Sequence, residues 1–317
     1  MYFFSRVRIR PKLIETQLAK VLSDSSYNVH RLLWDLFSEE KQRNFLYREE
    51  IARQQFGTGA GIHGEPVYYI VSSTKPSQKN PFFWAEAKEY QPKLQQGDRL
   101  RFELRANPVV TQELDRENPK QYLKERSRRQ VADKDKLTKK HVRHDIVMNA
   151  QRTFLKTLCS ELGLQTHLPL DPKKQELKKA LLTHGGCKLD ERLTTLLKGN
   201  FRYAERLQQA MRLDDKLEWA IKATVDVELE KWMVVQGEKH GFSLFRDGNN
   251  QYKLQSSAYR WHALDKKAGK EEKSGFSSVD FVGELEVTDV EKFTKALLEG
   301  VGRSKAFGCG LMLVKRS

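Results

Sequence analysis

One short segment, 26–37, puts an unusual set of side chains on a single helical face. At 100° per residue Val29, Leu32, Leu33, Leu36 and Phe37 form an apolar stripe, and Tyr27, His30, Arg31 and Trp34 fall together on the other side. An ordinary solvent face would carry Lys, Glu or Gln. Here a phenol, an imidazole, a guanidinium and an indole lie within two turns. Tyr27 and His30 are three residues apart, so they can address the same ligand atom. His30 lies in the first turns after a cap at Ser25 or Ser26, where the positive helix end disfavours the imidazolium and suits a neutral general base. The plainer alternative is that Trp34 packs under a loop and His30 sits beside it.

The second chemical feature closes the chain: Gly300-Val301-Gly302-Arg303-Ser304-Lys305-Ala306-Phe307-Gly308-Cys309-Gly310. Glycine lets a backbone approach a ligand closely, and Arg303 and Lys305 add positive charge at the same place. The loop follows a helical pattern (289–299) and precedes a short strand (311–314). Mononucleotide and dinucleotide loops run from strand to helix, so that a helix N-terminus faces the phosphates. The order here excludes that use. It leaves a contact to a phosphate backbone, through Gly302, Arg303, Ser304, Lys305 and Gly308, or a tight connection whose glycines only cap the helix.

Composition narrows the partner. The 317 residues include 57 Lys plus Arg against 42 Asp plus Glu, a formal charge of +15, which favours an anionic partner, nucleic acid or less often an anionic membrane surface. No apolar run approaches the ~20 residues that span a bilayer, and the first residues alternate into arginine unlike a signal peptide. Cys159, Cys187 and Cys309 are scattered without a CxxC pair, which predicts a reduced, cytoplasmic protein without disulfides or structural zinc. His141-x-x-His144 has helical spacing but no third ligand and a basic neighbourhood. No paired carboxylates are spaced to hold Mg²⁺, and no nucleophile elbow or Cys/His set occurs. No metal or cofactor is therefore expected. A histidine, a tyrosine and cationic groups are the equipment for one reaction on RNA. The 2′-hydroxyl attacks its own 3′-phosphate, a base removes the proton, an acid serves the departing 5′-oxygen, and cations stabilise the charge on phosphorus.

These residues need elements to position them. Alternating patterns predict strands at 2–10, 45–51, 67–73, 82–87 and 98–108, with a flexible loop at 56–64. Together with the 26–37 helix they make a first α+β module over 1–112. From Arg116 to Arg143 eleven Lys/Arg face four acids with few apolar residues. The stretch 113–144 is therefore expected to be a solvated basic linker or arm, with Arg128, Arg129, Lys139, Lys140 and Arg143 available to RNA. Residues 145–235 read as a helical unit with helices at 146–162, 173–182, 191–211 and 213–232, and no chemistry is visible in it. Over 236–317 the pattern returns to strands. A hairpin (252–264 and 275–287) has a lysine-rich tip, followed by the 289–299 helix, the glycine loop and a last strand. The economical fold class is α+β, two sheets each with helices on one face.

Several stretches together resemble a known family. They are Met1-Tyr2-Phe3 leading into a basic strand, Tyr27-Asn28-Val29-His30-Arg31-Leu32-Leu33-Trp34-Asp35-Leu36-Phe37, Phe45-Leu46-Tyr47-Arg48, Phe102-Glu103-Leu104-Arg105-Ala106-Asn107-Pro108, and the closing glycine loop through Leu311. In this order they resemble the CRISPR-associated endoribonucleases that process pre-crRNA in type I-E systems, the CasE subunit of Cascade. The resemblance implies two tandem ferredoxin-like (RRM-like) domains, with a helical insertion in or before the second. It also implies metal-independent cleavage at the base of a repeat stem-loop, a product that stays bound, and other Cascade subunits as partners. His30 matches the family's catalytic histidine and Tyr27 its partner tyrosine. Arg31 completes the candidate catalytic set, and the general acid stays open among Tyr27, Arg31 and Lys305. The glycine loop matches the family's signature loop beside the RNA. The hairpin matches the element that enters the stem's major groove, with Arg260, His262, Lys266, Lys267 and Lys270 as contacts. The compact family members lack most of 145–232, so the resemblance does not reach the helical unit. Two other classes compete: a stem-loop-binding module in which His30 is not catalytic, and a Cascade backbone subunit indifferent to hairpins.

Overall fold

The structure is a computed structural model describing residues 1–10, 26–37, 39–40, 42–51, 66–118, 139–209, 212–264 and 275–317. The chain divides into two units, one comprising Met1–Pro108 with Glu230–Ser317 and the other Val109–Leu229.

The first unit holds two antiparallel sheets. Strands β1 (Phe3–Ile9), β2 (Phe45–Ile51), β3 (Pro66–Ser72) and β4 (Phe83–Glu89) lie in the order β2-β3-β1-β4. Helix α1 (Ser26–Trp34), extended by a 3-10 turn at Asp35–Phe37, follows β1 and covers one face. Strand alternation decides which residues face it: Val7, Ile9, Tyr68, Ile70, Phe83 and Ala85 point inward and meet Val29, Leu33, Leu36 and Phe37. The arginines that make β1 basic, Arg6 and Arg8, point the other way and pair with Glu86 on β4 at 2.6 and 3.0 Å. On that second face Leu46, Val71 and Leu311 make a separate apolar cluster with Phe4, Tyr69, Leu298 and Leu313.

The second sheet contains β5 (Arg99–Ala106), β8 (Phe242–Leu244), β9 (Leu254–Ala263), β10 (Gly275–Val287) and β11 (Met312–Arg316). Its order is β11-β5-β10, with β8 and β9 both on the far edge of β10. Both sheets therefore show the ferredoxin-like order of fourth, first, third and second strand, and the fold is two tandem ferredoxin-like domains. The strand at 98–108, read from sequence as the end of the N-terminal module, is instead the first strand of the second sheet. Its alternation reports one buried face and cannot report which strands flank it. Two helical segments cover this sheet. Helix α7 (Val290–Glu299), capped by Asp289, sets Phe293 against Phe242, and Trp232 stacks on Phe281.

Trp232 belongs to a 28-residue helix, α6 (Leu213–His240), which runs on past the expected end at 232 and through Gly237. A Cβ at Gly237 would strike the carbonyl oxygen of Phe242. The glycine here allows the turn after the helix to fold back closely, and it does not break the helix.

The second unit contains the expected helices α2 (Ile146–Glu161) and α3 (Lys174–His184). The predicted 191–211 helix is two, α4 (Gly186–Lys198) and α5 (Ala204–Gln209), separated at Gly199. Its largest departure from expectation lies within 113–144. Two strands, β6 (Val109–Asp115) and β7 (Lys139–Asp145), form an antiparallel ladder where a solvated linker was expected. Few apolar residues argued against structure, but opposite charges across the ladder support it: Lys139 faces Asp115 and pairs with Glu113 at 3.2 Å. The spacing of His141 and His144 is therefore that of a strand, so they lie on opposite faces.

Candidate functional site

The surroundings of His30 lie in the first unit. Helix α1 is anchored by its apolar stripe, with Leu33 fully buried and Val29 nearly so. The opposite side, read from the sequence as a chemical face, is partly enclosed: Trp34 packs against the core cluster. The His30 ring is half-buried among four aromatic rings. Its centroid lies 5.5 Å from Trp34 edge-on, 5.6 and 6.4 Å from the stacked rings of Phe45 and Tyr47 on β2, and 6.5 Å from Phe307 in the glycine loop. The wall of β2 arises because Phe45 and Tyr47, two residues apart, share a strand face. His30 Nδ1 is buried without a hydrogen-bond partner among the described residues. Burial holds the imidazole below the ordinary histidine range, and the positive charge of Arg43 lowers it further. A neutral ring at neutral pH follows, and its principal cause is burial.

Arg31 is exposed beside it. Tyr27 is the second residue of α1, and its side chain lies outside the described residues.

The glycine loop passes over the same wall. Gly300 ends α7 and Asn107 forms a backbone bridge with Arg303. Ser304 turns left-handed into a 3-10 turn, Lys305–Phe307. The turn is held by Val301 N–H donating to the Gly310 carbonyl (2.9 Å) and Gly310 N–H donating to the Arg105 carbonyl (2.7 Å). A Cβ at Gly308 would stand 3.2 Å from the Tyr47 ring, so the glycine lets the loop pass close to it. Lys305 is half-buried, and its ammonium is lowered by burial, an effect Glu299 opposes and Arg43 reinforces. Burial and the charges of Lys305 and Lys239 also lower His240. Cys309 is buried, which pushes its thiol up to about 12, so it is no nucleophile at neutral pH. Burial likewise raises the Tyr47 phenol. The structure thus brings His30, Lys305 and the Arg43 charge to one place.

Three polar residues of the motif stretches serve the scaffold. Arg48 is buried and paired with Glu50 at 2.5 Å. Arg105 grips Asp280 on β10 through two bonds and donates to the Glu49 carbonyl on β2 (3.0 Å). Asn107 donates to the Ser277 carbonyl (2.7 Å).

On the hairpin, Arg260 is exposed, whereas His262 is half-buried, stacked on Phe276 and hydrogen-bonded to Ser278 Oγ (2.8 Å). A bulge at Ala258, φ 52°, sets this stretch of the ladder. Lys266, Lys267 and Lys270 lie outside the described residues, as do Arg128 and Arg129. In the second unit, Lys139 pairs with Glu113 and Arg143 is exposed on β7, while the side chain of Lys140 lies outside the described residues.

Arg43, Phe45, Tyr47 and Phe307 escaped the sequence reading of the site. Phe45 and Tyr47 stood in a quoted motif without a role, and their period-2 spacing was the available signal. Among the described residues no group of three or more His, Cys, Asp or Glu is arranged to hold a metal, and no helix is long and apolar enough to cross a membrane.

A model of the CRISPR associated protein family matches residues 1–316. Among solved structures, the CRISPR endoribonuclease Cse3 bound to a 19 nt RNA is similar over 99% of this chain and 99% of its own, at 18% identity and a TM-score of 0.51. Thermus thermophilus Cse3 bound to an RNA representing a pre-cleavage complex is similar over 99% of this chain and 98% of its own, at 18% identity and a TM-score of 0.50. At this identity the likeness is one of fold. No curated protein matches the chain.

Proposed function

This chain belongs to the CRISPR associated protein family, and we propose that it is an endoribonuclease that cuts CRISPR repeat RNA at the base of a stem-loop. The observation that carries the reading is His30: a half-buried imidazole kept neutral by burial and Arg43, with Lys305 of the glycine loop nearby. The RNA-bound Cse3 structures of like fold support the substrate class.

In the reaction proposed, neutral His30 accepts the proton of the RNA 2′-hydroxyl. The 2′-oxygen bonds to phosphorus and the bond from phosphorus to the 5′-oxygen breaks. The products are a 2′,3′-cyclic phosphate and a 5′-hydroxyl once an acid protonates the leaving oxygen. Cations of the glycine loop stabilise the added charge on phosphorus. Tyr27, Arg31 and Lys305 remain the candidates for the acid. On the family resemblance, the protein then keeps its product and joins other Cascade subunits.

Incubation with repeat RNA in EDTA tests this. Cleavage that survives chelation and leaves a cyclic phosphate is expected, and His30→Ala should slow it by about 10²–10⁴ while leaving RNA affinity nearly unchanged. Tight binding without cleavage by the parent protein would identify a stem-loop-binding module instead. Full activity in His30→Ala would remove His30 from the mechanism.

A further inference from the structure

We propose that Phe307 is a positioning residue that seats His30, and that a column of stacked rings, His262–Phe276–Phe307, ties it to the RNA-facing hairpin. This deepens the ribonuclease reading and rests on it for its consequence in catalysis.

The column is continuous. The rings of His262 and Phe276 lie 4.6 Å apart and nearly parallel, at 10°. Phe276 and Phe307 lie 5.1 Å apart at 24°, and Phe307 meets His30 at 6.5 Å and 57°. Each separation falls in the range where aromatic rings attract. The outer end sits on the hairpin, where His262 is the cross-strand partner of Phe276 and Arg260 that of Ser278. On each strand these residues are two apart, so all four share one face of the ladder. The bond from His262 to Ser278 Oγ holds that end, and Phe276 is buried.

The inner end is equally constrained. Phe307 ends the 3-10 turn that carries Lys305, with its N–H bonded to the Ser304 carbonyl at 2.9 Å. Gly308 follows, passing close to the Tyr47 ring where a Cβ would stand 3.2 Å from it, and Gly310 N–H donates to the Arg105 carbonyl. A shift of the Phe307 backbone therefore moves the turn, and the turn carries Lys305 with it. Packed rings shift between discrete arrangements and do not deform continuously. Displacement of the hairpin end by bound RNA thus reaches His30 and Lys305 together. Phe307 is also one of the four rings around the imidazole, and burial is the main cause of its neutrality.

The test uses the full-length protein with two independent readouts. The first is the NMR titration of the His30 ring, its signal assigned by its loss in His30→Ala. In Phe307→Ala the titration should move up toward the ordinary histidine range. The second is single-turnover cleavage at saturating repeat RNA, which should fall about ten- to a hundredfold with RNA affinity held within about threefold. Phe307→Leu, which keeps apolar cover, should recover most of both and replaces the alanine variant if that fails to fold. In the parent, adding repeat RNA should shift the His30 signal, and Phe276→Ala should abolish that shift. Parent-like titration and cleavage in both Phe307 variants would overturn the positioning role. A moved titration in a protein whose parent never cleaves would uphold the positioning and reject the ribonuclease reading.

Discussion

The ion pair between Arg105 and Asp280 offers the sharpest energetic test of how the second sheet is joined to the wall of the site. Two charge-assisted bonds, Nε at 2.7 Å and Nη2 at 2.9 Å, connect β5 to β10. The side chains are 27% and 20% exposed. Fully exposed pairs contribute about 0–1 kcal/mol, and breaking a buried one costs about 3–5 kcal/mol. At this intermediate burial Asp280→Ala should cost about 2 kcal/mol, roughly 30-fold in the unfolding equilibrium. Arg105→Lys keeps the charge but loses the fork, so it should cost about 1–2 kcal/mol. The bond to Asp280 raises the Arg105 pKa. A raised pKa contributes stability at all pH below the ordinary arginine value, lost only as pH climbs past it, so this group adds no pH dependence near neutrality. Urea unfolding suits the measurement, because guanidinium would screen the pair. A double-mutant cycle of Arg105→Ala and Asp280→Ala should return a coupling of about 1–2 kcal/mol. A coupling under about 0.3 kcal/mol with unchanged urea dependence would mean that the pair does not hold β5 to β10.

Two further outcomes are expected. The depressed His30 pKa means that the unfolded chain binds the proton more readily. Its contribution to stability is therefore full above the ordinary histidine value and is lost as pH falls through the lower folded value. Cleavage should follow the same neutral form, so its acid limb lies below the ordinary histidine value; Arg43→Met should move that limb to higher pH, and an unmoved limb in the pH–rate profile would discount Arg43. Gly310→Ala should destabilise by about 2–3 kcal/mol in urea unfolding, since φ is 95° and the new Cβ would stand 2.9 Å from the Val301 carbonyl oxygen. A loss under about 1 kcal/mol would show that the loop shifts at little cost.

Local periodicity carried much of the fold. The apolar stripe of α1, the alternation of β2, the long hairpin with β10 at 275–287, and α7 after an aspartate cap are one-sided burial patterns, written into residues a few positions apart. The same locality placed His30 on the chemical face of its helix and put a basic glycine loop between a helix and a strand. The charge of +15 pointed to an anionic partner without any structure.

What the sequence could not decide was which elements meet. A strand pattern states that one face is buried and says nothing of its neighbours, so only the folded chain shows β5 paired with β10 and β11 across gaps of more than a hundred residues. The β6–β7 ladder escaped notice because its support is cross-strand charge, which has no local period. The site itself is the clearest case. Tyr27, His30 and Arg31 could be named from one helix. The aromatic wall, the Arg43 charge and the cover of Phe307 come from segments distant in sequence, and they set the imidazole's burial and hence its protonation. Residue type and spacing determined that a histidine was available and that the helix end favoured its neutral form; tertiary packing decided that burial would be the main cause of that neutrality and that the ring would be enclosed near Lys305.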